Sequence, residues 1–227
     1  MTQPSQHPVP QPSCAPSKPH LAVFGATRGI GRHVVDFALQ SGHRVTALAR
    51  DPTALELGDD RLRVVGGDAT DADAVARAVA GADAVVCALG APARNRDRVR
   101  ARGTENIIAA MARQGVQRLL CVSVLGAAET RGDLPWFLRY LFFPLYLRQA
   151  VADHEAQERL IAASSLRWTI VRPPHLTDGP RTDEFQHGEG SGGGAWTLKI
   201  SRADVAGFML DQLGRDDYVG RRVGVSY

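Results

Sequence analysis

Cysteine, aromatic residues and uninterrupted apolar runs are all scarce in this sequence. It has only 3 Cys among 227 residues, and their wide spacing fits neither a disulfide scaffold nor a zinc site. Aromatic residues make up 6% of the chain, and 27 basic residues against 24 acidic ones leave a net charge of +3. Such an even balance does not indicate nucleic-acid binding. The low cysteine content favours a reducing, cytoplasmic compartment and a site without a metal ion.

No segment of the sequence has the pattern of a membrane span or of a signal peptide. The most apolar stretch, Leu134–Leu147, is interrupted by Arg139 and Pro144 and is shorter than the roughly 20 residues that a transmembrane helix needs. Residues 1–19 are rich in proline and poor in large apolar side chains. We therefore expect a disordered N-terminal arm at 1–19 and one folded domain at 20–227, without membrane attachment.

Short apolar runs alternate with amphipathic stretches from residue 20 onward. This rhythm is typical of an α/β fold, and it predicts a single Rossmann-type domain with a doubly wound parallel sheet. Strands are expected at Leu21–Phe24, Arg44–Ala49, Leu62–Val65, Ala84–Leu89, Arg118–Ser123, Trp168–Arg172 and Ala195–Ile200. Helices are expected at Ile30–Gln40, Ala72–Ala80, Gly103–Gln114, Ala150–Ala163 and Ser201–Leu213.

A glycine-rich turn is the strongest local signal. The first strand runs into Gly25-Ala26-Thr27-Arg28-Gly29-Ile30-Gly31, and a helix follows at once. Glycines allow a tight turn and a close approach of the backbone to a pyrophosphate, while the helix N-terminus offers free N–H groups. This context predicts dinucleotide binding, and a purely structural turn is the alternative.

The end of the second strand predicts which dinucleotide binds. Enzymes that use NAD usually carry Asp or Glu there for the ribose 2′-hydroxyl, whereas this chain has Arg50. A guanidinium is suited to a 2′-phosphate, and Arg28 in the turn is a second cation in the same region. We therefore expect NADP(H) as the cofactor. For each arginine, a solvated surface position is the alternative.

Several short motifs along the chain resemble those of one protein family. They are Gly25-Ala26-Thr27, Ala49-Arg50-Asp51, Gly67-Asp68, Ala88-Leu89-Gly90, Gly103-Thr104-Glu105-Asn106 and Val171-Arg172-Pro173-Pro174-His175-Leu176. Together they make the chain similar to the atypical short-chain dehydrogenase/reductases, in the NAD(P)H-binding (NmrA-like) branch that includes biliverdin and flavin reductases. The resemblance implies that NADP(H) delivers hydride to a flat conjugated acceptor such as a flavin, a quinone or a tetrapyrrole.

The resemblance also implies which residues contact the cofactor. Asp68 is expected near the adenine, and a turn-forming role or the cap of the next helix are its alternatives. Cys87 and Cys121 are expected inside adjacent strands as buried packing groups rather than nucleophiles. The full set of expected cofactor contacts is Gly25, Thr27, Arg28, Gly29, Ile30, Gly31, Arg50, Asp68, Ala69, Ala88, Leu89, Gly90, Cys121, Pro173 and Pro174.

The Tyr-x-x-x-Lys pair of ordinary short-chain enzymes is missing. Tyr140, Tyr146 and Tyr218 are followed four residues later by Pro, Ala and Arg, so no lysine lies one helical turn away. The usual alcohol and ketone chemistry is therefore disfavoured. Transfer to a flavin or a quinone stays open, because such acceptors can take a proton from water or from a weak donor.

Ser123 and His175 are the candidate catalytic residues at the substrate site. Each follows an expected strand, at the carboxyl edge where doubly wound sheets bind ligands, and the resemblance assigns both to the site. The alternatives are a serine that caps a turn and a histidine that hydrogen-bonds a backbone carbonyl. His154 lies in the helix where the tyrosine–lysine pair would be. It is expected on the helix surface or behind the residues that contact substrate.

Two further segments have more than one interpretation. The alternating arginines between 94 and 102 form either a solvated loop or a patch that attracts an anionic substrate or the cofactor diphosphate. They are Arg94, Arg96, Arg98, Arg100 and Arg102. The aromatic stretch 136–146 forms either a lid over the acceptor or an oligomer contact. Two functional classes follow: an NADPH-dependent reductase, monomeric or homodimeric, and a non-catalytic NADP(H) sensor that shares the fold.

Overall fold

The computed structural model describes residues 18–55, 57–91, 97–125, 148–190 and 196–227. In these ranges strands and helices alternate along most of the chain, as the sequence predicts. The strands are β1 (His20–Phe24), β2 (Arg44–Ala49), β3 (Leu62–Gly66), β4 (Ala84–Cys87), β5 (Arg118–Val122), β6 (Arg167–Arg172), β7 (His175–Thr177), β8 (Gln186–Gly188), β9 (Lys199–Ser201) and β10 (Arg221–Ser226). The α-helices are α1 (Gly29–Gln40), α2 (Ala72–Val79), α3 (Val99–Gln114), α4 (Arg148–Ala162) and α5 (Arg202–Asp211).

Eight of these strands form one sheet, in the order β3-β2-β1-β4-β5-β6-β10-β8. Neighbouring strands are parallel except at β8, which pairs antiparallel with β10. β7 and β9 form a separate parallel pair. The strand order runs outward from β1 in both directions, which is the doubly wound topology of a Rossmann-type fold. The predicted fold class is therefore confirmed.

Helices bury the apolar side chains on both faces of the sheet. α1 and α5 pack together on one face, where Val34 and Met209 are fully buried. α2, α3 and α4 cover the other face, where Met111 and Ile161 are fully buried. A strand that is covered on both sides reads as a continuous apolar run, as Leu21–Phe24 does. Burial of this apolar surface is the main stabilising contribution to the fold.

Asp204 joins several C-terminal segments. It is fully buried in α5, and its carboxylate accepts the backbone N–H groups of Thr182 and Asp183 at 2.7 and 2.9 Å. The Tyr227 hydroxyl donates to it at 2.6 Å and the Ser201 hydroxyl at 2.8 Å. Burial alone raises the pKa of Asp204, but the hydrogen bonds outweigh burial and hold the pKa below its usual value. The ionised carboxylate therefore stabilises the folded state.

Several element boundaries differ from the sequence predictions. β4 ends at Cys87 instead of Leu89, because the chain leaves the sheet where Ala88 packs against Gly25. α5 ends at Asp211, and a 3-10 turn follows it. The strand predicted at Ala195–Ile200 is observed later, as β9 (Lys199–Ser201), and the first residue of that prediction lies outside the described ranges.

β7, β8 and β10 are strands that the sequence does not predict. β7 and β8 have only three residues each. β10 begins with two arginines and contains Gly224, so its composition is not that of a typical strand. β10 pairs with β6 and β8, and β7 pairs with β9, so all three strands depend on partners elsewhere in the chain.

α3 begins at Val99, four residues earlier than the predicted Gly103. Asp153 of α4 explains the difference, because its carboxylate accepts the Arg100 N–H at 3.1 Å and the Ala101 N–H at 3.0 Å. The free N–H groups at a helix start require partners of this kind. Here the partner comes from more than fifty residues away, so no local capping pattern marks the start of the helix.

Some predictions concern residues that the structure does not describe. Residues 1–17 of the expected arm, the aromatic stretch 136–146, and Arg94 and Arg96 lie outside the described ranges, and their interpretations stay predictions. Among the described residues, no helix combines the length and apolar character needed to cross a membrane. Within the same ranges, no group of His, Cys, Asp and Glu side chains is arranged to hold a metal ion.

Candidate functional site

The candidate site lies where the strand order reverses, between β1 and β4. The chain goes from β1 to β2 on one side and reaches β4, on the other side, only after β3 and α2. In doubly wound sheets the loops diverge at such a point and leave a crevice at the carboxyl ends of the strands. The loops that border this crevice are residues 25–28, after β1, and residues 88–90, after β4.

These two loops approach so closely that only glycine fits at position 25. A Cβ atom on Gly25 would lie 2.1 Å from the Ala88 carbonyl oxygen, and Gly25 has φ +81°. A Cβ atom on Gly31 would lie 2.2 Å from the Gly25 carbonyl oxygen. Gly29, with φ +60°, begins α1. The three glycines therefore let the turn pack against α1 and against the β4 loop.

The N-terminus of α1 presents free hydrogen-bond donors at the crevice. Arg28 is the N-cap residue in an extended conformation, with φ −159°, and its side chain makes no capping hydrogen bond within the described residues. Residues 29–32 include no acidic side chain. The first N–H groups and the positive end of the helix dipole are therefore available to an anion. Ile30 is buried below the turn and Thr27 is half-buried in it.

A cation and a turn-forming carboxylate follow β2 and β3. Arg50 is exposed directly after β2. The Oδ1 atom of Asp68 accepts the N–H and the hydroxyl of Thr70, both at 2.8 Å. These hydrogen bonds, and to a lesser extent the charges of Arg50 and Arg102, lower the pKa of Asp68. Asp68 therefore forms a turn, whereas Asp71 caps α2.

α3 packs closely on the loops that follow β3 and β4. Ala69 is buried, and its carbonyl oxygen accepts the Asn106 Nδ2–H at 3.0 Å. A Cβ atom on Gly103 would lie 2.7 Å from the Leu89 side chain and 3.1 Å from the Ala69 Cβ. Gly103 thus allows α3 to contact both loops. The structure thereby brings together the predicted cofactor residues after β3 and those after β4.

Ser123 and His175 follow β5 and β6 at the same carboxyl edge. Ser123 is 4% exposed, and its N–H donates to the Val171 carbonyl oxygen at 2.8 Å. Its buried hydroxyl makes no hydrogen bond to any residue in the described ranges, so it caps no turn there. The Leu125 N–H donates to the Pro173 carbonyl oxygen at 2.9 Å, which joins the two loops. His175 is exposed on β7.

Cys87 and Cys121 are buried side by side, which confirms that they are packing groups inside adjacent strands. They occupy matching register positions on β4 and β5 and are fully buried. Gln157 of α4 donates to the Thr104 hydroxyl at 2.9 Å and to the Cys87 sulfur at 3.6 Å. α4 therefore contributes an amide to the polar contacts next to these strand ends, where ordinary short-chain enzymes have a tyrosine–lysine pair.

His154 is half-buried on α4, which fits a position behind the residues that contact substrate better than a fully exposed helix surface. Its Nδ1 atom is buried and has no hydrogen-bond partner among the described residues. Burial, followed by the positive charge of Arg100, lowers the pKa of His154 to about 3. The imidazole is therefore neutral near pH 7.

The part of the arginine cluster that the structure describes is not a solvated loop. Arg100 is 8% exposed and donates to the Ala91 carbonyl oxygen at 3.1 Å and to the Asp153 carboxylate at 3.5 Å. Arg98 and Arg102 are exposed at the start of α3. Asp153 thus accounts both for the early start of α3 and for the buried guanidinium.

Arg202 lies at the glycine-rich turn, although no sequence motif predicts it there. It is the first residue of α5, and its Cδ and Nε atoms lie 3.8 and 3.9 Å from the position of a Cβ on Gly29. Its Nη1 atom donates to Asp178 at 2.6 Å. The Ser201-x-x-Asp204 capping pattern marks the start of the helix. Only the packing of α5 on α1 brings Arg202 to the turn.

The reversed strand order, the glycine contacts and the open helix terminus define a nucleotide-binding α/β protein. The sequence profile of a family described as NAD(P)H-binding matches residues 25–216, which include every element from α1 to α5. The chain belongs to this NAD(P)H-binding family.

Comparison with individual proteins finds relatives in fungi, plants and bacteria. Reductase pytE of Aspergillus terreus is 29% identical in an alignment that covers 93% of this chain and 99% of the relative. Two further relatives, from Arabidopsis thaliana and a Streptomyces species, are longer proteins, and this chain aligns with 60% and 54% of their respective lengths.

Two solved structures have the same fold. The anaerobillin reductase ChuY from Escherichia coli O157:H7 has a TM-score of 0.75 at 23% identity, over 92% of this chain and 97% of that one. A short-chain dehydrogenase/reductase from Veillonella parvula in complex with NADP has a TM-score of 0.76 at 19% identity, over 92% of this chain and 94% of that one. At these identities the likeness establishes the fold.

Proposed function

We propose that this protein is an NADPH-dependent reductase that transfers hydride to a flat conjugated acceptor, such as a flavin, a quinone or a tetrapyrrole. The observation that carries the proposal is the crevice between β1 and β4. Free N–H groups of α1 lie at this crevice, and Arg50 directly follows β2. The buried hydroxyl of Ser123, which has no hydrogen-bond partner among the described residues, directly follows β5. Such an edge suits a dinucleotide, with its reactive end toward Ser123.

The residues at the turn fit a nucleotide pyrophosphate. Gly25 and Gly31 have room for no side chain, because the Ala88 and Gly25 carbonyl oxygens occupy the space of a Cβ atom, and this close packing forms the tight turn that a pyrophosphate site requires. Thr27, Arg28, Gly29 and Ile30 complete the turn and the start of α1. Ala88, Leu89 and Gly90 would border the cofactor on the other side, and Pro173 and Pro174 would lie toward its nicotinamide end, whereas Cys121 is fully buried and would lie behind the site without contacting the cofactor.

NADPH is the preferred cofactor in this proposal because the adenosine end is cationic. Arg50 is exposed where NAD enzymes usually have a carboxylate for the 2′-hydroxyl. Arg102 is a second cation close enough to lower the pKa of Asp68 together with Arg50. Two guanidinium groups near one carboxylate leave a net positive charge, which suits a 2′-phosphate.

A conjugated acceptor is favoured over an alcohol or ketone because the usual proton-transfer pair is absent from α4. On α4 the Nδ1 atom of His154 is buried and the imidazole is neutral, and Glu158 binds Arg172 at 2.9 Å in a buried ion pair. Neither is a phenol activated by an ammonium group. A bound nicotinamide supplies the hydride, and the ring of the acceptor takes up the electron pair. Ser123 or His175 would orient the acceptor or pass it a proton from water.

The relatives support reduction as the reaction class. Reductase pytE aligns along nearly the whole of this chain, and the anaerobillin reductase ChuY shares the fold. The fold on its own does not specify an acceptor, since one scaffold serves many reactions. The missing tyrosine–lysine pair agrees equally with a non-catalytic NADP(H) sensor, so turnover is the property that separates the two functions.

Consumption of NADPH with a panel of acceptors tests the proposal. We expect the purified full chain to oxidise NADPH faster than NADH with at least one flavin, quinone or linear tetrapyrrole, followed by the loss of near-ultraviolet absorbance. Tight binding of NADPH without turnover on any acceptor would favour the sensor. Failure to bind either coenzyme would contradict both functions.

Substitution of Arg50 tests the cofactor preference. We expect Arg50→Ala to weaken NADPH binding by roughly 10-fold or more, because a charge-assisted contact to phosphate contributes about 1.5–3 kcal/mol. NADH binding should stay within about twofold of wild type. Arg113→Ala, at an exposed position near the C-terminus of α3, is the matched control. Equal losses for NADPH and NADH would contradict the assigned role.

A further inference from the structure

Arg202 lies beside the glycine-rich turn in a charge environment that is unfavourable without a ligand. Its side chain contacts the space next to Gly29, the first residue of α1, at 3.8 Å. The N-terminus of a helix carries a partial positive charge, so cations are normally found at the opposite end. The first turn of α1 adds Arg28 and Arg32 but no acidic residue. The side chain of Arg202 therefore lies beside a positive helix terminus whose first turn has no acidic residue of its own.

Acidic side chains offset this charge only in part. Arg32 bonds to Asp36 within α1 at 3.1 Å. Arg202 bonds to Asp178 at 2.6 Å, but the Asp178 side chain is 89% exposed, and an ion pair of this kind contributes little in water. The Arg202 side chain itself is 29% exposed, so it is not sealed in the core. An anionic ligand at the turn would satisfy both the helix terminus and Arg202.

The fold holds the Arg202 backbone in a fixed place relative to α1. Ser201 caps α5 by accepting the Asp204 N–H at 2.9 Å, and Asp204 is fully buried. α5 packs directly on α1. On its N-terminal side Arg202 follows β9, which pairs with β7, the strand that begins at His175. Arg202 is therefore positioned by the core on one side and by the predicted substrate strand on the other.

We propose that Arg202 binds the pyrophosphate of the dinucleotide together with the N–H groups of α1, in exchange for part of its contact with Asp178. This inference rests on the proposed nucleotide site. It assigns to Arg202 a phosphate that NADPH and NADH share, whereas Arg50 is assigned to the 2′-phosphate that only NADPH carries. The guanidinium supplies two parallel N–H donors, a geometry that matches phosphate oxygens.

Equilibrium binding of four nucleotides to the full chain tests the proposal. The probes are NADPH, NADH, ADP and AMP, titrated against wild type, Arg202→Gln and Arg202→Met. Gln keeps a polar group, and Met keeps the apolar stem that packs near Gly29, so a folding defect in one variant does not prevent the test. Arg215→Gln, at an exposed position beyond the other end of α5, is the matched control. Circular dichroism melting confirms that each variant is folded.

We expect both Arg202 variants to raise the Kd of NADPH and of NADH by the same factor, roughly 10- to 100-fold, as for the loss of a charge-assisted phosphate contact. ADP should lose affinity by the same factor, while AMP, which lacks the second phosphate, should lose less. Arg215→Gln should change none of these values by more than about twofold.

Three results would overturn the assignment. Unchanged Kd values in folded Arg202 variants would exclude a phosphate contact while leaving the proposed function intact. A loss confined to NADPH would assign Arg202 to the 2′-phosphate instead. Equal losses for ADP and AMP would exclude a pyrophosphate contact. If wild type bound neither NADPH nor NADH, the proposed function would fail together with this inference.

Discussion

Gly31→Ala should separate nucleotide binding from folding. Gly31 lies in the first turn of α1, where an Ala side chain would normally favour the helix by about 1 kcal/mol. In this structure a Cβ atom there would lie 2.2 Å from the Gly25 carbonyl oxygen and 3.3 Å from the Ala26 Cα. Ordinary van der Waals contact begins near 3.4 Å, so the turn or the helix must move by about 1 Å.

The turn has little room to move away from a side chain at position 31. Gly25 is itself against Ala88, where a Cβ atom would lie 2.1 Å from the carbonyl oxygen. Overpacking of this kind costs about 1–3 kcal/mol, which the gain in helix propensity partly offsets. A shift of about 1 Å also misaligns the N–H groups for phosphate. Loss of two such hydrogen bonds costs roughly 3 kcal/mol, which corresponds to an approximately 100-fold rise in Kd.

Fluorescence titration with NADPH and thermal melting of the same samples measure the two effects. We expect Gly31→Ala to lose about 100-fold in affinity while its free energy of unfolding falls by no more than about 2 kcal/mol. Gly214→Ala is the control, because a Cβ atom there has no neighbour within 4 Å and its φ is not positive. A Kd for Gly31→Ala within twofold of wild type would refute the assignment of the turn to the pyrophosphate.

Two predictions concern buried titratable groups and are measured by urea unfolding at several pH values. Asp204→Asn should cost about 3 kcal/mol at pH 7, because charge-assisted hydrogen bonds are lost. The pKa of Asp204 is lowered in the folded state, so its contribution is present above the usual carboxyl pKa, near 4, and is lost as the pH falls through the folded pKa. The difference between Asp204→Asn and wild type should therefore shrink below about pH 4, and a pH-independent difference would contradict this. For His154, the folded pKa of about 3 lies below the usual 6.5, so the unfolded state binds the proton first and stability declines as the pH falls below 6.5. His154→Gln should flatten that decline, and an unchanged pH dependence would show that the imidazole is not buried.

The elements nearest the glycine-rich turn could be predicted from the sequence with little error. β2 is observed at the predicted Arg44–Ala49, and β1 and α1 each begin one residue earlier than predicted. These elements carry complete local signals: an apolar run that is buried on both faces, glycines where the backbone requires them, and a helical pattern that follows directly. Membership of the NAD(P)H-binding family agrees with the prediction drawn from that turn.

The parts that could not be predicted depend on partners from elsewhere in the chain. Asp153 sets the start of α3, and the burial around the Nδ1 atom of His154 keeps that imidazole neutral. β10 is a strand because it pairs with β6, although it contains two arginines and a glycine, a composition that does not favour a strand. None of these contacts can be predicted from the periodicity of apolar residues in the segment concerned. The individual roles of the predicted site residues stay predictions.

The sequence by itself determined a dinucleotide-type turn and an alternating α/β fold, because backbone sterics and apolar periodicity act over a few residues. Only the tertiary structure decided which distant side chains share that turn. Arg202 reaches Gly29 because α5 packs on α1, and Ser123 is buried beside β6 with a hydroxyl that has no partner in the described part of the chain. Contacts of this kind depend on how the helices pack on the sheet, and the residues next to a position in the sequence do not indicate which side chain of another layer will contact it.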